Sequence, residues 1–150
     1  MSGDVVTVEP DDGCDAFERI IFFDAEFVDG GSSSGVWWTD GEEGSFSIDD
    51  PSDNNDAEWL AAIEAVKEAK RRGWRRFECV GDSRLVVEQM NGRYGADAPA
   101  NKYAARRSEL QRHCADLVVR WRWTARSKNR AGRSIANRQR RERYAKSRPG

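Results

Sequence analysis

The fold is decided by the stretch Ile20-Ile21-Phe22-Phe23-Asp24-Ala25-Glu26. Four consecutive apolar residues, two of them aromatic, are typical of a short strand at the centre of a sheet. We predict this first strand over residues 17–28. Its apolar run ends directly at Asp24, and a carboxylate beside a hydrophobic core needs a charged partner or a metal ion. The stretch therefore predicts a central strand with a candidate site at its end.

The residues after this strand predict a three-stranded meander. A turn rich in glycine and serine at residues 30–35 leads to a second strand around residues 36–39. A further turn at residues 40–44 leads to a third strand around residues 45–48. Short strands joined by such turns lie side by side in a sheet.

A long helix follows the meander. Apolar residues at helical spacing predict a helix over residues 57–72, and Gly73 is a natural stop. Asn54 or Asn55 is its candidate N-cap, which places Glu58 in the first turn.

The remaining chain alternates strands with helices. We predict a strand at residues 74–80, helices at residues 83–91 and 101–114, a strand at residues 117–123 and a basic helix from about residue 130. The order is βββαβααβα, which indicates an α/β domain with a five-stranded mixed sheet flanked by helices. In the last strand, Trp121 and Trp123 alternate with arginines, and we assign both tryptophans to the core rather than to stacking on bases.

Composition indicates one soluble domain. The chain has 150 residues, of which 38% are hydrophobic and 34% charged, and its mean hydropathy is −0.83. We expect a flexible acidic tail at residues 1–16, a single domain at residues 17–138 and a basic tail at residues 139–150. No apolar run approaches the roughly 20 residues of a membrane span. A monomer without membrane contact is expected.

The compartment is predicted from the N-terminus and the cysteines. The N-terminal residues are acidic and lack the basic start and apolar stretch of a signal peptide. Cys14, Cys79 and Cys114 are odd in number, far apart and form no Cys-x-x-Cys pair, so neither zinc nor disulfides are indicated. We expect reduced thiols and a cytoplasmic location.

The net charge of −1 hides a strong asymmetry. Residues 1–60 hold 17 of the 26 carboxylates and one basic residue, Arg19, whereas residues 61–150 hold nine carboxylates and 24 basic residues. One interpretation is a protein that collects metal ions on its acidic side and binds phosphates on its basic side. The other is a solvated surface whose two halves attract each other, and charge alone does not separate them.

Three carboxylates are placed where they can converge. Asp24 ends a central strand, Glu58 lies in the first turn of a helix, and Asp82 follows the end of the fourth strand. Strand ends and helix starts are where open α/β sheets place their ligand-binding residues. Hydrolysis of a phosphodiester at a two-metal site needs such a convergence of acids.

The segments that carry these acids resemble type 1 ribonuclease H, over residues 19–137. Four motifs carry the resemblance, in order and on matching elements. They are Phe22-Phe23-Asp24 with its glycine-rich hairpin, Asn54-Asn55-Asp56-Ala57-Glu58, Gly81-Asp82-Ser83-Arg84-Leu85-Val86-Val87, and Trp123-Thr124-Ala125-Arg126-Ser127-Lys128-Asn129.

The resemblance implies a function and its residues. It implies a metal-dependent endonuclease that cleaves the RNA strand of RNA–DNA hybrids, with double-stranded RNA as a further candidate substrate. Asp24 would bridge two Mg²⁺ ions, or Mn²⁺ ions, and Glu58 and Asp82 would complete one of the two sites. The residues expected to contact nucleic acid are Asn54, Asn55, Arg126, Lys128, Asn129 and Arg133.

One position departs from the family's pattern. The fourth carboxylate of the family lies four residues after the asparagine that is Asn129 here, and that position is Arg133. From residue 117 onward there is no aspartate, and the one glutamate is Glu142. Either cleavage proceeds with a weaker second ion, or the domain binds hybrids and cuts them slowly or not at all. We favour a working nuclease.

Two other functions share parts of this pattern. A non-catalytic binding module on the same fold is favoured by Arg133 but not by the joint presence of the three acids. A 3′–5′ exonuclease would share the Asp24-Ala25-Glu26 start, but it needs a late tyrosine or histidine followed by a spaced aspartate. His113 and Asp116 are too closely spaced for that, and we expect His113 on a helix surface.

Overall fold

A computed structural model describes Phe17, residues 19–93 and 102–133, Ile135 and Arg140. Its secondary-structure elements are β1 (Ile20–Glu26), β2 (Ser33–Thr39), β3 (Glu42–Ile48), α1 (Asn54–Arg71), β4 (Arg76–Gly81), α2 (Arg84–Met90), α3 (Ala104–Cys114), β5 (Val118–Trp123) and a 3-10 turn (Arg126–Lys128). Residues 130–133 and 135 are helical and begin a last helix. The predicted α/β fold and its element order are confirmed.

The five strands form one mixed sheet in the order β3-β2-β1-β4-β5. β1 pairs with β2, and β2 with β3, in antiparallel fashion, whereas β1, β4 and β5 are parallel neighbours. The apolar run of β1 therefore lies at the centre of the sheet, as the sequence predicts. The parallel arrangement also brings the carboxyl ends of β1 and β4 to the same edge.

The two faces of the sheet are covered differently. Ile21 and Phe23 point into the main core, where they pack with residues of α1 such as Trp59. Phe22, on the alternate face, packs against a smaller cluster that includes Ile135 of the last helix. The last helix therefore lies on the face opposite α1, and it starts next to the middle of β1.

The start of α1 corrects the prediction of its N-cap. Asp53, and neither Asn54 nor Asn55, caps the helix, since its Oδ1 accepts a hydrogen bond from Asp56 N at 2.8 Å. Asp53 is fixed in this role by Tyr103, whose hydroxyl donates to Asp53 Oδ2 at 2.7 Å. Of the three adjacent residues that could cap α1, the one that does so is therefore the one bonded to Tyr103, 50 residues away in the sequence.

The end of β5 differs from the prediction that both of its tryptophans lie in the core. Trp121 is buried in the core as predicted, but Trp123 is 37% exposed, because β5 is an edge strand and Trp123 is its last residue. Cys79 and Cys114 are free and buried.

Some predictions fall on residues outside the description. The expected tails at residues 1–16 and 139–150 lie outside the described residues, apart from Arg140, so the domain boundaries remain predictions. In the part of the chain that the structure covers, none of the helices has the length and apolar character needed to cross a bilayer.

Candidate active site

The three predicted acids come together at one edge of the sheet. Asp24 lies in β1, Glu58 in α1, and Asp82 directly after β4. Phe22 of β1 pairs with Val80 of β4, which is parallel to it. Asp24 and Asp82 each follow two residues after this pair, so they lie side by side. One oxygen from each of the three carboxylates lies within 4.8 Å of the other two. The fold therefore creates a cluster of three acids.

Burial makes this cluster electrostatically costly. Asp24 is 2% and Glu58 is 5% exposed. Burial, and then the charge of Asp82, raise the pKa of Asp24 to about 6. Burial, and then the neighbouring Asp24, hold the pKa of Glu58 well above its usual range. Without a cation the cluster therefore keeps protons near neutral pH.

Asp82 lies in a milder environment. Burial raises the pKa of Asp82, while the charge of Arg126 and a hydrogen bond from Asn129 act in the opposite direction. Asp82 is the most exposed of the three acids. It is therefore the member of the cluster that ionises with the least cost.

The donor set fits a hard divalent cation. Glu58 Oε1 and Asp82 Oδ2 are buried and have no hydrogen-bond partner among the described residues. Unpartnered buried carboxylate oxygens are costly, and a bound ion removes that cost. All three ligands are carboxylates, the chemistry that Mg²⁺ and Mn²⁺ prefer over softer metals.

Asn129 is a buried residue that links the start of the last helix to β1. It is fully buried, its Nδ2 donates to Phe23 O at 3.0 Å, and its Oδ1 accepts from Ala131 N at 3.0 Å. These bonds tie the start of the last helix to β1 beside Asp24. Both ends of the Asn129 amide are therefore used inside the protein, and its predicted contact with nucleic acid stays a prediction.

The last helix approaches the cluster through a glycine. A Cβ atom at Gly132 would lie 2.9 Å from Asp24 Oδ2. The adjacent Arg133 is exposed. Among the described residues, the cluster contains no fourth carboxylate. The helix that carries the family's fourth acid therefore contacts the site here through a residue without a side chain.

The other predicted residues surround the acids. Arg126 and Lys128 are exposed on the 3-10 turn, and Arg126 is close enough to lower the pKa of both Asp24 and Asp82. Asn54 is exposed and Asn55 half-buried at the start of α1, within one turn of Glu58. Exposed basic and amide groups thus border a buried acidic centre.

Sequence reasoning missed two neighbours of the site. Trp123 Nε1 donates to the main-chain oxygen of Asp82 at 3.1 Å. The guanidinium carbon of Arg84 lies 4.0 Å from the centre of the Trp123 ring. The available signal was that Trp123 ends the last predicted strand, where a side chain has less cover than in the middle.

A five-stranded mixed sheet with three acids at the ends of β1 and β4 and the start of α1 defines a ribonuclease H-like domain. Residues 41–139 match the family described as reverse transcriptase-like, and the chain belongs to that family. The ribonuclease H resemblance predicted from the sequence is thereby confirmed for family and fold. No curated protein matches the sequence significantly.

Three solved structures are similar in fold. A ribonuclease H1 from the halophilic archaeon Halobacterium salinarum is 24% identical, with 78% of this chain and 92% of that chain covered and a TM-score of 0.65. The N-terminal ribonuclease H domain of a Mycobacterium tuberculosis protein is 24% identical, with coverages of 78% and 94% and a TM-score of 0.63. A compost-derived ribonuclease H1, solved with an RNA/DNA hybrid, is 23% identical, with coverages of 75% and 89% and a TM-score of 0.63.

Proposed function

We propose that this chain is a metal-dependent endonuclease that hydrolyses the RNA strand of RNA–DNA hybrids. The observation that carries the proposal is the cluster of Asp24, Glu58 and Asp82, with two buried carboxylate oxygens that have no partner among the described residues. Family membership and a fold neighbour solved with an RNA/DNA hybrid support the same substrate.

The three acids would hold Mg²⁺ or Mn²⁺, in a two-metal arrangement with Asp24 shared. Such ions supply a nucleophilic water at neutral pH and stabilise the charge that develops on the phosphate. The chain's own residues keep the acids in place: Asn129 ties the last helix to β1 beside Asp24, and Trp123 fixes the main chain of Asp82.

The residues around the cluster would bind the hybrid. Arg126, Lys128 and Arg133 are exposed cations, suited to phosphates of the backbone. Asn54 and Asn55 present amides within one turn of Glu58, where they can read a 2′-hydroxyl, the group that separates RNA from DNA. Cleavage would therefore be coupled to recognition of the RNA strand.

The test is incubation of end-labelled hybrid, duplex DNA and duplex RNA with Mg²⁺ or Mn²⁺. We expect internal cuts in the RNA strand of the hybrid, and duplex RNA tests the second candidate substrate. Asp24→Asn should lower the rate by at least about 100-fold, since one shared ligand is lost. Asp116→Asn is the matched control, because Asp116 is an exposed aspartate just before β5, at the opposite end of the strands. Activity that survives EDTA, or equal rates in wild type and Asp24→Asn, would exclude the proposal.

The second candidate is a hybrid-binding domain that cuts slowly or not at all. Arg133 favours it, because this cation stands where the family resemblance expects an anionic ligand. The same assay separates the two functions. Tight binding of hybrids without metal-dependent cuts identifies the binding domain.

A further inference from the structure

Trp123 is exposed but held in a fixed orientation beside the acidic cluster. It is one of two large hydrophobic side chains that are exposed in the described part of the chain, the other being Val28. The hydrogen bond from Trp123 Nε1 to the main-chain oxygen of Asp82 ties the indole ring to a residue of the cluster. An exposed apolar surface that is held this way indicates a binding role more than a packing role.

Arg84 covers a face of this indole. Its guanidinium carbon lies 4.0 Å from the ring centre, the distance of a stacked cation–π contact. Arg84 is exposed, and in the part of the chain that the structure describes no ion pair includes it. A stacked guanidinium keeps its N–H groups in the plane of the group, where they can bind a planar pair of oxygens.

The location of Arg84 is fixed by its neighbours. Ser83 lies between it and Asp82, and the Ser83 hydroxyl accepts a hydrogen bond from Val86 N at 3.3 Å. Both flanking contacts, at Asp82 and at Ser83, limit movement of the main chain. Arg84 is therefore a cation held at the border of a cluster that would otherwise repel a nucleic-acid backbone.

We propose that Arg84, held against Trp123, is a phosphate-binding residue for the nucleic-acid backbone beside the acidic cluster. The inference rests on the proposed function for its ligand, but it concerns binding and requires no cleavage. A phosphodiester is the ligand that fits, since a guanidinium binds two phosphate oxygens at once. The guanidinium occupies one indole face, so the tryptophan orients the arginine and is not offered on that face to a base.

The experiment measures affinity for a hybrid in EDTA at several salt concentrations. Arg84→Ala should weaken binding about tenfold and reduce the slope of log affinity against log salt by about 0.9, the loss of one phosphate contact. Trp123→Leu should weaken binding with little change in slope, because the charge of Arg84 remains but its orientation is lost. Circular dichroism checks that both variants fold.

The matched control is Arg75→Ala. Arg75 is an exposed arginine that precedes β4, seven residues before Asp82 and roughly 23 Å away along an extended chain. Its replacement should leave the affinity and the slope unchanged. A slope that falls equally for Arg75→Ala and Arg84→Ala would show a general charge effect and would overturn the inference.

Hybrids with neutral methylphosphonate linkages in one strand identify the strand that Arg84 contacts. Replacement of Arg84 should cease to affect binding when the contacted strand is neutral.

If Arg84→Ala binds the unmodified hybrid with wild-type affinity and slope, the inference is wrong while the nuclease proposal stands. If wild type binds but does not cleave, and Arg84→Ala reduces the slope, the nuclease proposal fails while the inference stands. A wild type that neither binds hybrids in EDTA nor cleaves them with metal excludes both.

Discussion

Asp24 is in electrostatic conflict with its surroundings in the absence of metal. It is almost completely buried, it faces Asp82 and Glu58, and position 132 of the last helix lies against its Oδ2. Burial, with Asp82, raises its pKa to about 6. A carboxylate in this position destabilises the fold when it is ionised, and a bound cation would remove that cost.

Asp24→Asn should therefore stabilise the metal-free protein near neutral pH. The folded state holds the proton of Asp24 more tightly than the unfolded state, so wild-type stability falls as pH rises from about 4 to about 6. The loss is at most about 3 kcal/mol, from roughly 1.4 kcal/mol per pKa unit. Urea unfolding in EDTA should show Asp24→Asn more stable than wild type near pH 8 and similar to it near pH 4. A variant equally destabilised at both pH values would contradict this account.

At the scale of elements, α3 fixes the first turn of α1. Tyr103 bonds the N-cap Asp53, and Arg106 Nε donates to Asp56 Oδ1 at 2.7 Å. Asp56 also accepts from Ser52 N at 2.9 Å, and its side chain is buried. Glu58 is two residues further along the same turn. The position of Glu58 thus depends on a helix that starts 46 residues after it in the sequence.

Arg106→Ala should destabilise the protein and slow cleavage. The variant leaves Asp56 as a buried carboxylate without its cation, at a cost of roughly 1–3 kcal/mol, since Arg106 itself is partly exposed. Burial raises the pKa of Asp56, but Arg106 and Ser52 outweigh it and leave the pKa lowered. The stabilisation is therefore present above about pH 4 and is lost as pH falls further, so the two proteins should converge in acid.

The control for this prediction lies on α1 itself. Lys67 forms an exposed pair with Glu64 at 3.2 Å, and Lys67→Ala should change the free energy of unfolding by less than about 0.5 kcal/mol. Urea titrations at two pH values, with cleavage rates alongside, make the comparison. Equal effects for Arg106→Ala and Lys67→Ala would mean that α3 does not position the first turn of α1.

Across the whole molecule, local sequence patterns predicted the strands, the helices and their order. They failed where the role of a residue depends on a contact with a residue far away in the sequence. The continuous apolar run of β1 and the helical spacing in α1 sufficed to predict the sheet and the convergence of Asp24, Glu58 and Asp82. The N-cap at Asp53 depends on a hydrogen bond from Tyr103. The buried amide of Asn129 depends on a hydrogen bond to the main chain of Phe23, which lies 106 residues earlier in the sequence. Alternation in β5 assigned Trp123 to the core, but alternation does not say whether the end of an edge strand is covered by other residues.

The charge asymmetry of the chain is partly cancelled inside the structure. Arg120 and Arg122 both contact Glu78, at 3.4 and 3.1 Å, although they belong to the strongly basic half of the sequence. Arg126 and Lys128 instead lie on the exposed turn beside the acidic cluster. Of the two interpretations of the asymmetry, internal attraction therefore describes β5, and the exposed turn that follows it is where the proposed function expects phosphate binding.

Arg126→Ala and Arg120→Ala should consequently differ in their effect on hybrid binding, although both remove one arginine from the same basic segment. Arg126 is exposed and near enough to the acids to lower their pKa values, and it would release counterions when a phosphate binds, so its loss should reduce the salt slope by about 0.9. Arg120 is already paired with Glu78, and its loss should leave the slope within about 0.3 of wild type. The measurement is fluorescence anisotropy of a labelled hybrid across a salt series in EDTA. If both variants lower the slope equally, the basic half acts as a diffuse field, and the turn after β5 has no special part in binding.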